Sequence, residues 1–528
     1  MLLMKLYEKM VYGAMKGLDR IRFRGTHRWL ANERGIQTFA SRSNILLKDF
    51  GKWAENKTLQ LRESCAARAQ ALGSEVIYLN KSTARKDDLA RRIAEEKGVG
   101  PDGSICMFSV VEPCWAPAVS GNRAIKKLEL HMRQRKCVFL YHYFDDPEFG
   151  FGHVRLQSWL PMSAHICLNG RHWLEKQMNK AGIAFVKSGN CFPWVEDLPA
   201  AQRLLDAQLE TDWPKALNRL VLNCCPDIQA LFAPFDFNYY WSADETEFAT
   251  DILFHSEKEL SALYPAFLRH AMTVSDSPAV MRYLGKGGSE FSGKVRGPMP
   301  DEIITDLRRR AEGVRIKHWV NNNSVKMYNK AGSVLRIETT INNTRDFQVF
   351  RPSHDEPAGP ASWKKMGKGV NDLHRRCQIS ERSNARYADT LSAAKVSETL
   401  QSVAAPACNP VEHRGRRHRA LNPWSREDHQ LLLFLAKGEH ALNGFRNKDL
   451  RAFLAPSGDP ADKATDKAEA KRLSRKATRR ISLLRAHGLI QKVSHVNRYV
   501  LTSKGRKFAA GLLTASLVDI ESLMEKAA

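Results

Sequence analysis

Residues 314–351 alternate apolar and polar side chains more regularly than any other part of the chain, and a period of two commits them to a sheet. The runs VRIKHWV, SVKMY, SVLRIETTI and FQVFR are separated by NNN, NKAG and NNTRD, and Asn and Gly at such breaks suit tight turns between antiparallel strands. A four-stranded meander is therefore expected. Successive side chains leave a strand on opposite faces, so Val314, Ile316, His318 and Val320 point one way. The same rule gathers Arg315, Lys317, Lys326, Tyr328, Arg336 and Glu338 on the other face, over an apolar underside. Such a face is either open surface laced with cross-strand ion pairs or a site for chemistry.

The chain has 528 residues, enough for two to four domains, since single cores seldom exceed about 250–300 residues. Residues 1–72 read as a basic helical region broken at Gly25, Gly35 and Gly51. From Glu75 the pattern becomes strand, helix, strand, so 73–198 reads as an α/β domain. Within it CVFLYHYF and HVRLQSWLP look like a hairpin, and RHWLEKQMNKA is a helix closed by Gly182. Residues 199–352 form a third region, with helices, two strands in NYYWSADETEFATDILFHS and the meander. A helical and Arg/Pro-rich linker (353–424) leads to a last domain, 425–528.

The chain carries 82 Lys and Arg against 57 Asp and Glu, a net charge of +25. Residues 409–528 hold 24 of these basic residues against 12 acidic ones, about half the excess. Concentrated positive charge calls for an anionic partner, and no apolar anchor adjoins it to suggest a membrane. DNA is the expected partner, with RNA as the other class such a surface admits. The ten cysteines include no C-x-x-C pair, which argues against zinc ribbons and a disulfide framework. Lys5, Glu8 and Lys16 interrupt the apolar opening, so a signal peptide is not expected and a cytoplasmic location is. No Walker loop, G-x-S-x-G elbow or H-E-x-x-H is present, and GKGGSEFSGK (285–294) lacks P-loop spacing.

In the last domain SREDHQLLLFLA is a capped helix, NKDLRAFL a second, and residues 466–487 a third. Leu473, Ala477, Ile481 and Leu484 share one face of the third, leaving Arg472, Arg475, Lys476, Arg479 and Arg480 largely on the rest. The phrase Gly488–Ile490 followed by Tyr499–Gly505 resembles the "GLI…Y-x-LT-x-KG" of winged-helix domains in MarR- and ArsR-type regulators. The resemblance implies that the third helix enters the major groove and that the wing, with Arg498, lies over a neighbouring backbone. The alternative for such a domain is a protein contact. HRGRRHR supplies Arg414, Arg416 and Arg417, either as an arm in a minor groove or as a solvated linker. The fold expected is thus a multi-domain α+β chain, with a helical basic N-terminal region, a mixed α/β body with an antiparallel meander and a C-terminal winged helix-turn-helix.

The middle region resembles rolling-circle replication initiators of plasmids and phages in its order of an acidic strand, a Y-x-K strand and an R-x-E strand. The counterparts here are Thr250-Asp251-Ile252, Tyr328-Asn329-Lys330 and Arg336-Ile337-Glu338, and the His-x-His pair of many such enzymes is missing. The resemblance implies that Tyr328 attacks a phosphodiester, Asp251 and Glu338 hold Mg2+ or Mn2+, and Lys326 or Lys330 offsets developing charge. A rival metal cluster is His142, Asp145 and His153, with Asp146, Glu148 and His165 nearby. Two functions follow: a site-specific DNA-binding protein of a plasmid or mobile element that nicks or rejoins DNA, or a non-catalytic winged-helix regulator or RNA-associated binder.

Overall fold

Residues 11–26, expected to be helical, form a 16-residue strand, β1 (Val11–Thr26), after a single helical turn, α1 (Leu2–Leu6). Ile21, Phe23 and Gly25 are buried while Arg20, Arg22 and Arg24 are exposed, a period of two that only the second half of the strand displays. The computed structural model describes every residue except 82, 125, 234–237, 276, 286–302, 311–312, 354–355, 357, 395–399, 456–466, 494–495 and 519–528. Most of the Gly-rich run at 285–294 and the start of the insertion before the third C-terminal helix therefore lie outside the described residues. The chain is mixed α/β and divides into two compact units. One comprises Met1–Ala14, Thr250–Thr339 and Ile379–Ala528, and the other Met15–Ala249 and Thr340–Gln378.

The second unit begins with β1, followed by α2 (Glu33–Arg42), α3 (Phe50–Ala71), β2 (Val76–Leu79) and α4 (Lys86–Lys97). Next come β3 (Ser104–Asn122), β4 (Lys127–Asp146), β5 (Gly150–Gln157), β6 (Ala164–Asn169) and α5 (Gly170–Ala181). The strands lie in the order β1-β6-β5-β4-β3-β2, antiparallel except for the parallel pair β2 and β3. Local chemistry explains the helix that follows β6: the Asn169 side chain accepts from the Arg171 and His172 amides, and Gly182 ends the helix in the left-handed region. A small hairpin, β7 (Phe185–Ser188) and β8 (Cys191–Val195), precedes α6 (Leu198–Gln208) and α7 (Trp213–Cys224). Each of those two helices has an Asp N-cap and a proline in its first turn.

Where the sequence predicts two strands there is one, β9 (Tyr240–Phe254), because its polar centre SADET contains no Gly, Pro or Asn to turn the chain. A Ser256–Glu259 capping box opens α8 (Glu257–Val274), which is followed by α9 (Ser277–Tyr283). The first unit then builds the meander from β10 (Ile304–Arg310), β11 (Gly313–Val320), β12 (Asn323–Lys330) and β13 (Val334–Ile341), with residues 250–254 of β9 beyond β13. The expected fourth run, FQVFR, is instead β14 (Gln348–Arg351), paired with β15 (Ser362–Lys365) in a separate two-stranded sheet. A 3-10 turn at Thr344–Asp346 redirects the chain between β13 and β14. The strand that takes its place, ITDLRRR, is too charged to stand out by alternation.

The remaining elements are α10 (Leu373–Leu391), α11 (Leu400–Ala404), β16 (Val411–His413), β17 (Arg416–His418), α12 (Arg426–Ala436), α13 (Gly438–Asn443), α14 (Asn447–Leu454), α15 (Lys467–Ala486), β18 (Ile490–Lys492), β19 (Tyr499–Leu501) and α16 (Ser503–Leu517). Leu431, Leu435, Phe445, Ile481, Leu484, Leu501 and Phe508 are among the buried residues of the core that joins α12 to α16. Two glycines of this region are required by close approach. A Cβ on Gly444 would lie 2.2 Å from the Tyr499 carbonyl oxygen, and one on Gly505 would lie 2.0 Å from that of Leu489. Among the described residues no helix is long and apolar enough to cross a membrane.

Candidate functional site

The register of β11 against β12 sets Arg315 opposite Tyr328 and Lys317 opposite Lys326, with Ile316 opposite Met327 and His318 opposite Val325. The polar face of the meander is thus continuous across these strands, but it is not open surface. Arg336 and Asp251 are 0% exposed, and Arg315, Lys326, Tyr328, Lys330 and Glu338 are all buried. Burying charge is tolerable only when each charge meets an opposite one in good geometry. Arg336 donates from Nε to Asp251 Oδ1 at 2.6 Å and from Nη2 to Oδ2 at 2.8 Å, the two-pronged arrangement that suits guanidinium and carboxylate. Lys326 pairs with Glu338, and Arg315 donates to Asp306 of β10 at 2.6 Å.

Tyr328 lies between two ammonium groups. Lys326 Nζ is 5.8 Å and Lys330 Nζ 5.4 Å from its ring centroid, because positions 326, 328 and 330 share one face of β12. Tyr328, Lys326, Lys330 and Glu338 are therefore neighbours. Asp251 faces Arg336 with both oxygens. As arranged, Asp251 does not fit a divalent ion, since a guanidinium already stands where its charge would be, whereas Glu338 faces Lys326.

The opposite face is a conventional core with a few satisfied polar groups. Thr305 and Tyr387 bracket the His318 ring at 2.9 and 3.1 Å, and burial pulls its pKa down to about 4, so it stays neutral. Thr339 donates to Asn384 at 2.7 Å, and Asn384 donates to Thr250 at 3.2 Å.

In the C-terminal region Ser425 caps α12 by accepting from the Asp428 amide. The Asp428 carboxylate is 1% exposed and takes two hydrogen bonds of 2.7 Å from Arg419, one of 3.0 Å from Arg480 and one of 2.9 Å from the Asn422 amide. Arg480 is thereby turned inward and also pairs with Glu427, unlike the solvent-facing residue expected from its place on the helix. Arg472, Arg475, Lys476 and Arg479 are exposed along α15 while Ala477, Ile481 and Leu484 are buried. Beyond the helix, Gly488 adopts φ 71° and the β18–β19 hairpin returns the chain to α16, whose Thr502 N-cap accepts from Gly505. Arg498 sits just before β19, half-buried. An isolated antiparallel bridge joins Phe445 to Tyr499 of the hairpin.

HRGRRHR is a hairpin of its own, with His413 opposite Arg416 and Val411 opposite His418. Arg414 and Gly415 form the tip at φ 55° and 69°, both in the left-handed region that two-residue hairpin turns use. Arg414, Arg416 and Arg417 are exposed on it.

The rival cluster does not converge. His142 pairs with Val154 and His153 with Tyr143 in the β4–β5 register, so the two imidazoles point to opposite faces. His142 meets the Ser104 hydroxyl at 2.9 Å. Asp145 pairs with Lys176 at 2.8 Å and Asp146 with Arg219 at 2.6 Å. Burial lowers His142 and His153 to about 4 and His165 to about 3. Sequence reasoning missed the partners here: Glu112 accepts from Tyr141 at 2.9 Å and from Arg155 at 2.7 Å and lies 3.3 Å from Lys86. Nothing in the spacing of those residues signals that they meet. Asp306 was missed as well, because the run that carries it is too charged to read as a strand.

No protein-family model, curated protein or solved structure significantly matches this chain.

Proposed function

We propose that this chain is a site-specific DNA-binding protein of a plasmid or other mobile element, held on its target by a C-terminal winged helix. The observation that carries the reading is the outer side of α15. Arg475, Lys476 and Arg479 are exposed there and have no acidic partner among the described residues, whereas Arg480 is anchored to α12. A helix fixed at one side and lined with uncompensated cations on the other suits phosphate and base contacts in a major groove. The succession of α12, α14, α15, hairpin and α16, with the six-residue α13 set between the first two, supports it, since the resemblance to MarR- and ArsR-type domains implies helices followed by a hairpin and a last helix. In a fluorescence-anisotropy titration of duplex DNA, exchanging Arg475, Lys476 and Arg479 for Gln is expected to flatten the dependence of log affinity on log salt. The slope should fall by about 0.9 for each phosphate no longer neutralised. An unchanged slope would sink the reading.

A second reading, nicking and rejoining by Tyr328, is favoured by the two lysines that flank that ring. Attack of the phenolic oxygen would form a bond to a 5′ phosphate and release a 3′ hydroxyl, the phenolic proton passing to the departing oxygen. The reverse reaction reseals the strand. Lys326 and Lys330 would offset the charge that develops on the phosphate. The expected result is a covalent adduct on labelled single-stranded DNA. It should form with Mg2+ or Mn2+ added and equally with a chelator, and it should be missing from Tyr328→Phe. Binding without any adduct leaves a non-catalytic binder, in which the buried charges of the meander serve only the fold.

A further inference from the structure

A second cationic surface lies in the other unit. β3 and β4 pair residue for residue from Val111 and Val138 to Asn122 and Lys127. β2 pairs with β3 only as far as Val110, and β5 with β4 only from Phe139. Residues 111–122 and 127–138 are thus a two-stranded ribbon, about 40 Å long at roughly 3.3 Å per residue. Near one edge the Met132 amide donates to Glu33 of α2 at 2.8 Å, and Cys114, Ala116, Pro117, Ala118 and Leu130 are buried. Most of the rest is exposed.

The uncompensated charges on the ribbon are mostly positive. Arg123, Lys126, Lys127, Arg133 and Lys136 are exposed, and none has an acidic partner among the described residues. Of its acids, Glu112 is neutralised by Arg155 and Lys86, while Glu129 accepts from the Asn122 side-chain amide and lies 3.4 Å from His131. Elsewhere in the same unit several arginines are matched, Arg20 with Glu245, Arg24 with Asp244, Arg68 with Asp102 and Arg219 with Asp146, although others such as Arg22 and Arg34 are not. Arg123, Lys126 and Lys127 crowd the tip, where like charges repel one another and do not serve the fold. An exposed Trp115 stands on the same face as Lys136.

We infer that this ribbon is a second DNA contact, gripping the backbone of duplex DNA independently of α15. Two antiparallel strands match the major groove, which is about 12 Å wide and admits a β-ribbon, and cations on such a ribbon reach the phosphates that line it. The inference rests on the proposal that the chain binds DNA, and adds where a second stretch of the duplex is held.

The test is a salt titration of the full chain on a non-specific 40-base-pair duplex, with two variants that keep the long aliphatic stems. Arg133→Gln with Lys136→Gln is expected to reduce the salt slope by about 2, and Arg123→Gln with Lys126→Gln and Lys127→Gln by about 3, at roughly 0.9 per phosphate. The turn variant lies at an exposed tip, so it remains readable if the strand variant fails to fold. Slopes equal to wild type in a folded variant overturn the ribbon contact, while a drop in the α15 variant would leave DNA binding itself standing. A wild-type chain with no salt-dependent affinity for DNA overturns both. A reduction confined to single-stranded DNA or to RNA overturns the assignment to duplex.

Discussion

Arg336→Met is expected to destabilise the meander unit by about 3–5 kcal/mol, the cost of removing one member of a buried ion pair. Asp251 is 0% exposed and directs both oxygens at that guanidinium, so the substitution leaves a carboxylate in the sheet with no counter-charge. Its remaining options are to take up a proton or to draw water into the core, and both loosen the packing of β9 against β13. The double variant Arg336→Met with Asp251→Leu is expected to recover most of the stability, because two apolar side chains of similar size carry no desolvation penalty. Urea denaturation, with hydrogen exchange over residues 250–254 and 334–339 to localise the effect, checks both. Recovery in the double variant separates an electrostatic cause from a simple cavity. Equal destabilisation in the two variants would mean that packing alone is responsible.

Asp428→Asn is expected to loosen α12 and α15 together, by about 3 kcal/mol at neutral pH, since it removes the charge that holds Arg480 and Arg419. Burial alone would raise the Asp428 pKa. The hydrogen bonds from Arg419 and the Asn422 amide, and the charges of Arg419 and Arg480, outweigh it and hold the carboxyl below its ordinary value. The sign of the linkage follows. A depressed folded-state pKa contributes stability that is fully present above the unfolded value, near 3.9, and is lost as pH falls through the folded one. Protection factors for amide exchange in α12 and α15, which divide out the intrinsic pH dependence of exchange, should therefore fall in the wild type below about pH 4, whereas in the Asn variant they should already be lower at pH 7 and change little further. Because Asp428 fixes Arg480 and thereby the roll of α15, the same variant is expected to weaken DNA binding even though it removes negative charge. Tighter binding in that variant would argue that α15 acts through net charge alone.

Much of the local structure was legible in the sequence. The helix at Gly170–Ala181 was readable from its turn signal and its closing glycine, the β4–β5 hairpin from alternation, and α15 from its apolar spacing. Capping, turn and period-two signals act over a few residues, so they survive in any context. β1 was not legible, because its first half lacks alternation and its arginines suit a helix surface as well as a strand. The place of β10 in the meander was equally hidden, since a charged run becomes a strand only where a neighbour offers its backbone.

The composition of the polar face was also written in the sequence: Lys326, Tyr328 and Lys330 must share a side of any strand they occupy, and so must Arg336 and Glu338. What the tertiary structure alone decided is whether that face meets water and which charge meets which. Asp251 and Arg336 are 85 residues apart, Arg480 and Asp428 52 apart, and no periodicity reaches so far. An ion pair depends on two side chains arriving in register from separate elements, and it repays burial only if they do. Local signals set many of the strands and helices and where positive charge accumulates; the packing of distant elements determined which of those charges are paired within the fold and which stay exposed.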